Sequence, residues 1–408
     1  MSQIHNCVGS SLVASAIILA AFLHVPTAEA GTERVIYSFC SQQNCADGEL
    51  PLAGLINVHG ALYGTTAGGG ANGVGTVFQV NPGTGAETVL HSFCSQQSCP
   101  DGWRPVAGLI NVQGRLFGTA ENGGGSGGAG TVFSINRRTG AETVVHTFEG
   151  LEGGDAPFAG LLEIHGHLYG TTENGGGGGG TVFSVNSRTG AERVVLSFQA
   201  FGDYGAAPYA GLIDVDGILY GTTQQGGTSG VCYEGNMGCG TVFSLNPRTG
   251  TETVLHAFQA NTADGVEPVA GLVEVGGILF GTTEFGGSTN DGTVFSIDPK
   301  TGEETVVHTF CNGLNCEDGA NPAAGLINVH GKLYGTTLTS TGHGSGGTMF
   351  SIDPKTGAEK VVYAFCSAQS CKDGKSPAAG LISVGNVFYG TTSAGGANGE
   401  GTVFATTP

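Results

Sequence analysis

"LYGTTAGGGANGVGTVF" (Leu62–Phe78) sets a run of glycines between two stretches of β-forming residues. A glycine-rich loop between a strand and a helix cradles phosphate with its backbone N–H groups. No helical period follows this one, and the same sentence recurs along the chain. Its aromatic stands at Tyr63, Phe117, Tyr169, Tyr220, Phe280, Tyr334 and Tyr389, at spacings of 51 to 60 residues. Each copy carries AGL(I/L/V), a short turn, LYGTT or a close variant of it (LFGTA, LFGTT, FYGTT), a glycine loop and GTVF, which is GTMF in the sixth. A period of this size marks a repeat architecture.

In the first copy, Ala53–Val58, Ala61–Thr66, Gly75–Val80 and Ala86–Phe93 read as four strands. Val, Ile, Thr, Tyr and Phe fill them, and turn residues bound them. His59-Gly60 suits a two-residue hairpin. The third and fourth strands are joined by (N/D)xxTG, in which Asn or Asp bonds its own backbone and Gly supplies positive φ. Repeated four-stranded units predict a β-propeller. The ends decide how it closes. "ERVIYSF" (Glu33–Phe39) is a fourth strand with no repeat before it, and the last repeat stops at "GTVFATTP" without one. In a ring these are one joint. The expected fold is all-β: a seven-bladed propeller with four antiparallel strands per blade, closed by the N-terminal strand pairing into the last blade. Closure would remove the exposed sheet edges.

LYGTT…GG…GTVF followed by (N/D)xxTG and ETV(V/L)H(S/T)F resembles the Gloeobacter–Verrucomicrobia (GloVer) tandem repeat of choice-of-anchor proteins, from about Gly31 to Phe404. The resemblance implies an exported, propeller-like protein without a set biochemical activity. Relatives often carry a C-terminal anchoring segment. Here "ATTP" shows no apolar helix or sorting signal, so a released protein is expected.

The chain begins with an apolar run, Leu12 to Leu23, and an Ala28-Glu29-Ala30 cleavage pattern, although "MSQIHN" lacks a basic residue. This organises the chain as a signal peptide over 1–30, cleaved near Ala30, and one propeller over 31–408. A periplasmic or extracellular location follows. After Cys7, the cysteines fall into close pairs: Cys40/Cys45, Cys94/Cys99, Cys232/Cys239, Cys311/Cys316 and Cys366/Cys371. Local pairing favours disulfides over zinc, because each pair sits in a separate repeat. With a net charge of −19, nucleic acid is excluded as a partner, and the mature chain has no span for a membrane. A monomer is expected.

If the N-terminal strand is outermost in its blade, AGL lies at the axis. The loops leaving the second and fourth strands then share one face, and the X-Gly and (N/D)xxTG turns share the other. The first, loop face holds every cysteine pair and the variable glycine loops, so it is the expected binding face. The fourth glycine loop is enlarged and carries the ligand-binding candidates Tyr233, Glu234 and Asn236; Trp103 in the loop before blade 2 is another. Asp47, Asp101, Asp264, Asp318 and Asp373 recur in a D-G-x-x-P motif. They are oxygen ligands of the kind calcium takes, but Asp-Gly before Pro is first a turn, and no other cofactor is implied. The LYGTT aromatics read as interblade core. His91, His146, His256 and His308 share one slot in the fourth strand with Tyr37, Leu196 and Tyr363, a half-buried structural position. His59, His165 and His330 read as surface-turn residues.

No G-x-S-x-G, H-E-x-x-H or Walker motif occurs, so no catalytic residue is assigned. The expected function is an exported, non-enzymatic binding or surface-interaction module for extracellular carbohydrate, peptide or an envelope component. Two alternatives stand beside it: a polysaccharide lyase or glycan hydrolase working at the axial funnel, and a structural component of an extracellular matrix.

Overall fold

The computed structural model describes residues 32–125, 127–200, 204–227, 232, 238–260, 264–313, 315–340 and 345–408. The export signal read from residues 1–30 lies outside this set.

Seven four-stranded antiparallel sheets form the blades. Blade 1 runs Ile56–Val58, Ala61–Thr66, Thr76–Val80 and Glu87–Ser92, in spatial order from first to fourth strand. Blade 7 takes its first three strands from Ile382–Val384, Val387–Thr392 and Thr402–Thr407 and its fourth from Thr32–Ser38. Thr32 pairs with Thr407 and Ser38 with Thr402, so the ring closes as the offset ends required. The first strands begin three residues later than the sequence suggested. Ala53-Gly54-Leu55 makes no ladder, because it is committed to the axis. A Cβ on Gly54 would lie 3.1 Å from the carbonyl oxygen of Gly380. The same contact runs through Gly108, Gly160, Gly211, Gly271, Gly325 and Gly380, at 3.1–3.6 Å from the preceding blade's glycine.

The repeated words are now legible as packing. Leu62 is fully buried, and Tyr63 packs against blade 2 with Leu109, Leu116 and Phe133. Gly64 makes room for a ring: a Cβ there would sit 2.6 Å from Phe78 Cζ. Thr65 donates from Oγ1 to the Ala107 carbonyl of the next blade. Equivalent bonds cross the other junctions and finish with Thr391 to Ala53, across the closure. Thr66 bonds Thr76 within its own blade at 2.8 Å. The phenylalanine ending each fourth strand meets the GTVF phenylalanine of the next blade edge to face. Phe93–Phe133 and Phe365–Phe404 are examples, and the seven pairs span 4.9–5.3 Å. Such a pair contributes about 0.5–1.5 kcal/mol beyond its buried area.

Two kinds of turn finish the blades. His59 and Gly60 both have positive φ (54° and 85°), the two-residue hairpin conformation whose twist matches that of the strands. Every fourth strand carries a one-residue bulge opposite GTVF, as between Val77 and Phe78 in blade 1, which adds twist and turns the strand around the rim.

Candidate functional site

The five cysteine pairs are disulfides, one in each of five loops of the loop face: Cys40–Cys45, Cys94–Cys99, Cys232–Cys239, Cys311–Cys316 and Cys366–Cys371. With both sulfurs of each pair bonded to one another, the zinc alternative falls away. The four C-x4-C bridges differ from the plain staples that the sequence suggested. Both cysteines of each have positive φ, from 42° to 61°, so the bridge holds the backbone in a conformation that costs a non-glycine residue free energy. The second cysteine also acts through its backbone. The Cys99 carbonyl accepts the N–H groups of Gly102 and Gly124, at 3.0 and 2.9 Å. The Cys371 carbonyl accepts those of Gly374 and Gly396, at 2.9 and 2.8 Å. With Cys45, whose carbonyl accepts from Gly48 and Gly70, three bridges thereby tie the D-G turn to the glycine loop of their blade. Cys99 and Cys371 are half-buried clamps of the loop face, and neither offers a thiol to a ligand.

The D-G-x-x-P aspartates brace the same loops. Asp101 accepts the Cys94 N–H at 3.0 Å and faces His91 Nε2 at 3.1 Å. Asp318 repeats this with Cys311 and His308. Asp264 accepts from Gln259 and Gly265 and faces His256. At Asp47 and Asp373 a tyrosine replaces the histidine: Tyr37 and Tyr363 donate to the carboxylates. Burial raises the Asp47 carboxyl, but hydrogen bonds from Tyr37 and Ser41 outweigh it and hold it below the usual range. The aspartates therefore stand apart around the ring, each bonded within its own loop. A calcium ion at any of them would displace N–H donors already in place.

The histidines complete a second pattern. Each strand-four His or Tyr sits against the glutamate that opens the fourth strand of the next blade. His146 Nε2 lies 3.8 Å from Glu192, and His256, Asp264 and Glu304 bring one ligand-type atom each within 4.8 Å of one another. Glu33, Glu87, Glu142, Glu192, Glu252, Glu304 and Glu359 all have a buried Oε1 without a hydrogen-bond partner. Burial raises every one of these carboxyls, to about 7 in all but Glu192. They form a ring of glutamates at the rim that hold their protons to a higher pH than a solvated glutamate does.

A third constellation is not repeated, and it lies on the inner part of the loop face. The residue before each loop proline has positive φ (53° to 60°) in all seven blades, although only glycine adopts this conformation without strain. Its backbone explains the constraint. Arg104 N–H donates to Val74 of the preceding blade, and the Arg104 carbonyl accepts from Glu121, the residue that follows LFGTA. Two side chains are thereby placed together in every blade. In blades 6, 7 and 1 they are Asn321/Leu338, Ser376/Ser393 and Leu50/Ala67. In blade 2 they are Arg104 and Glu121, which form an ion pair. Blade 3 contributes Glu173, and blade 5 contributes Glu267 and Glu284. Tyr209, entering blade 4, hydrogen-bonds Glu173 and feels the charges of Glu121 and Glu267. Gln224 donates to Glu267 at 3.1 Å. Phe158 meets the Tyr209 ring edge to face at 5.0 Å.

The result is a continuous acidic arc across blades 2 to 5, with four carboxylates, one arginine and an aromatic pair. Burial raises Glu121, against the pull of Arg104, and burial with the Glu267 charge raises Glu284. Burial and the Glu173 hydrogen bond push the Tyr209 hydroxyl up as well. Such an arrangement accepts hydrogen bonds from hydroxyl or ammonium donors and offers a ring face to stack on.

Of the residues singled out from sequence, Trp103 is half-buried one position before Arg104, where its backbone bridges Asn122. It flanks the arc. Tyr233, Glu234 and Asn236 lie outside the described residues, inside the loop closed by Cys232–Cys239. Sequence reasoning missed the arc itself. Its signal was available as variation: the residue after GTT or GTA changes among Ala67, Glu121, Glu173, Gln224, Glu284, Leu338 and Ser393 inside otherwise constant words.

Residues 26–233 and 230–404 match the family model described as Gloeobacter/Verrucomicrobia repeat. No curated protein matches the chain in sequence. Among solved structures, an oligogalacturonate lyase in complex with manganese is similar over 93% of this chain and 96% of its own, at 13% identity and a TM-score of 0.54. An oligogalacturonate lyase from Vibrio parahaemolyticus aligns over 93% and 97%, at 9% identity and 0.51. The extracellular domain of a hybrid two-component system from B. thetaiotaomicron aligns over 91% of this chain and 39% of its own, at 10% identity and 0.57. At these identities the likeness is one of fold.

Proposed function

The chain belongs to the Gloeobacter/Verrucomicrobia repeat family, and from that premise we propose that it is an exported, monomeric binding module whose ligand is an extracellular carbohydrate seated on the inner loop face. The convergence of Glu121, Glu173, Tyr209, Glu267 and Glu284 from neighbouring blades carries this reading. Carboxylates accept hydrogen bonds from sugar hydroxyls, and the Phe158–Tyr209 pair gives a stacking surface. Because the arc is confined to blades 2–5, one ligand per ring is expected, in contrast to a lectin with equivalent pockets in every blade. Five disulfides suit the oxidising compartment that export implies.

A glycan hydrolase or lyase is the second reading. It is favoured by the raised carboxyls of Glu121 and Glu284, since perturbed acids in one site are the raw material of acid–base catalysis. One experiment separates the readings. Neutral and amino-sugar oligosaccharides are titrated into the protein by calorimetry, and the same mixtures are assayed for cleavage products. Binding that Tyr209→Phe and Glu121→Gln weaken, without products, is expected. Products abolished by Glu284→Gln would make it an enzyme. No heat from any oligosaccharide would leave the structural-matrix role.

A further inference from the structure

The turn face carries a cleft of about 560 Å³ between blades 2 and 3. One wall is Val112, Gln113, Arg115 and Phe117 of blade 2; the other is Glu163, His165, Asn186, Ser187 and Arg188 of blade 3. We propose that this cleft binds an acidic saccharide through its carboxylate or sulfate group, held between Arg115 and Arg188.

Charge is the first argument. The chain carries −19, yet its cations are segregated: of the fourteen lysines and arginines, only Arg104, Lys372 and Lys375 stand on the loop face. The others lie toward the turns, and two of them line this cleft. Among the described residues, no carboxylate lies within 4.0 Å of either guanidinium; the one arginine ion pair is Arg104–Glu121. The carboxylate in the cleft, Glu163, has its Oε1 2.6 Å from the Gly166 N–H it accepts. Arg188 is free to fork onto carboxylate or sulfate oxygens, while Arg115, with Nε and Nη2 bonded to Ser134 and Thr143 and its charge also felt by Glu142, adds Nη1 and positive charge to the same cleft.

Construction is the second. Arg115 is fixed from behind by hydroxyl and carbonyl oxygens: Nη2 reaches Ser134 Oγ at 2.7 Å and Thr143 Oγ1 at 3.3 Å. On the other wall, Ser187 bonds the Gly166 carbonyl through both N and Oγ, locking the two turns of blade 3 together. Asn186 Oδ1 accepts the Arg188 N–H and holds that turn's shape. The Arg188 side chain is left to the cleft. Gln113, His165 and Asn186 line the same cleft with amide and imidazole groups that can both donate and accept, as hydroxyl groups do in return, which is why a saccharide is assigned over an acidic peptide.

The sequence departs from its own repeat here. In blades 1, 4, 5 and 6 the turn begins Asn/Asp-Pro, at Pro82, Pro247, Pro299 and Pro354; blades 2 and 3 put Arg137 and Ser187 there. Only blade 2 has arginine at the start of the second strand, where the others carry Ala61, His167, Ile218, Ile278, Lys332 and Val387.

The test is calorimetric titration at low ionic strength with two probes, tetragalacturonate for carboxylate and a sulfated tetrasaccharide for sulfate ester, and with fully methyl-esterified tetragalacturonate as the uncharged control. Saturable binding of at least one charged probe and none of the control is expected. Arg188→Ala, which removes no intramolecular side-chain bond, should weaken it about tenfold or more, as loss of a charge-assisted pair does. Arg248→Ala, the equivalent turn cation one blade on, should leave it unchanged. The cleft and the acidic arc lie on opposite faces and take probes of different charge, so either can fail alone. No saturable binding of either probe, or equal weakening by Arg188→Ala and Arg248→Ala, overturns the site. Equal affinity for a tetraglutamate peptide overturns the saccharide assignment.

Discussion

Replacing Glu252 with Gln should stabilise the protein at pH 8 and leave it unchanged at pH 4. Glu252 lies in the fourth strand of blade 4, Thr251–Ala257, at the junction with blade 3. There Leu196 occupies the slot that His or Tyr fills at the other junctions, so no ionisable partner complicates the result. Its Oε1 is buried without a hydrogen-bond partner, and burial alone raises the carboxyl from 4.5 to about 7. The folded state thus holds its proton to a higher pH than the unfolded chain. Below about 4.5 both states are protonated and no penalty exists. Between 4.5 and 7 the penalty grows, and above 7 it is complete. At 1.36 kcal/mol per pH unit the displacement amounts to about 3 kcal/mol. Partial solvation at the rim leaves roughly half of that, about 1.5 kcal/mol. In a chain of 408 residues this moves the melting temperature by about 2 °C. Thermal denaturation of both proteins at pH 4 and pH 8 measures it. Equal melting shifts at the two pH values, or destabilisation by Gln at pH 8, would refute the account of the rim glutamates as buried carboxyls that ionise at a cost.

Deleting residues 32–38 should leave blade 7 with three strands and Thr402–Thr407 as an open edge. Melting well below wild type, with growing oligomers in light scattering, is expected, and unchanged melting would disprove closure. Intact mass after alkylation should show ten cysteines protected until reductant is added, in the five bonded pairs. Ten freely alkylated thiols would contradict the bridges, each of which closes a small ring that contributes about 2 kcal/mol through chain entropy.

What the sequence made legible was what is repeated. Seven copies of LYGTT and GTVF disclosed the blades, and the spare Glu33–Phe39 disclosed the joint. Physically these positions are constant because each makes the same contact: Gly64 under Phe78, Thr65 to Ala107, Phe93 on Phe133. The cysteine spacing disclosed the bridges but not the carbonyl clamps at Cys99 and Cys371, because backbone acceptors carry no residue signature. The DG aspartates and the strand-four histidines were each seen, but not as partners. Asp101 and His91 meet only because the disulfide loop folds back over the strand end. The acidic arc and the turn-face cleft were hidden for the opposite reason. They are built from single substitutions in different blades, and adjacency around a ring has no trace in one repeat read alone. The turn face, made of the X-Gly and (N/D)xxTG turns, was passed over as a binding face because its loops are short. Its cleft is the space between neighbouring turns, in the two blades whose turns lack proline.

The strand that closes the ring is the earliest part of the propeller to be synthesised, and its partner is the last. Thr32 and Thr407 meet although 375 positions apart in sequence, a closure whose entropic cost is on the order of 5 kcal/mol. Without Thr402–Thr407, Thr32–Ser38 has no partner strand and the other six blades form an arc with two open edges. A chain lacking either strand leaves the same sheet incomplete, so truncation from either end falls on blade 7. The molecule has two termini in sequence and a single point of failure in space.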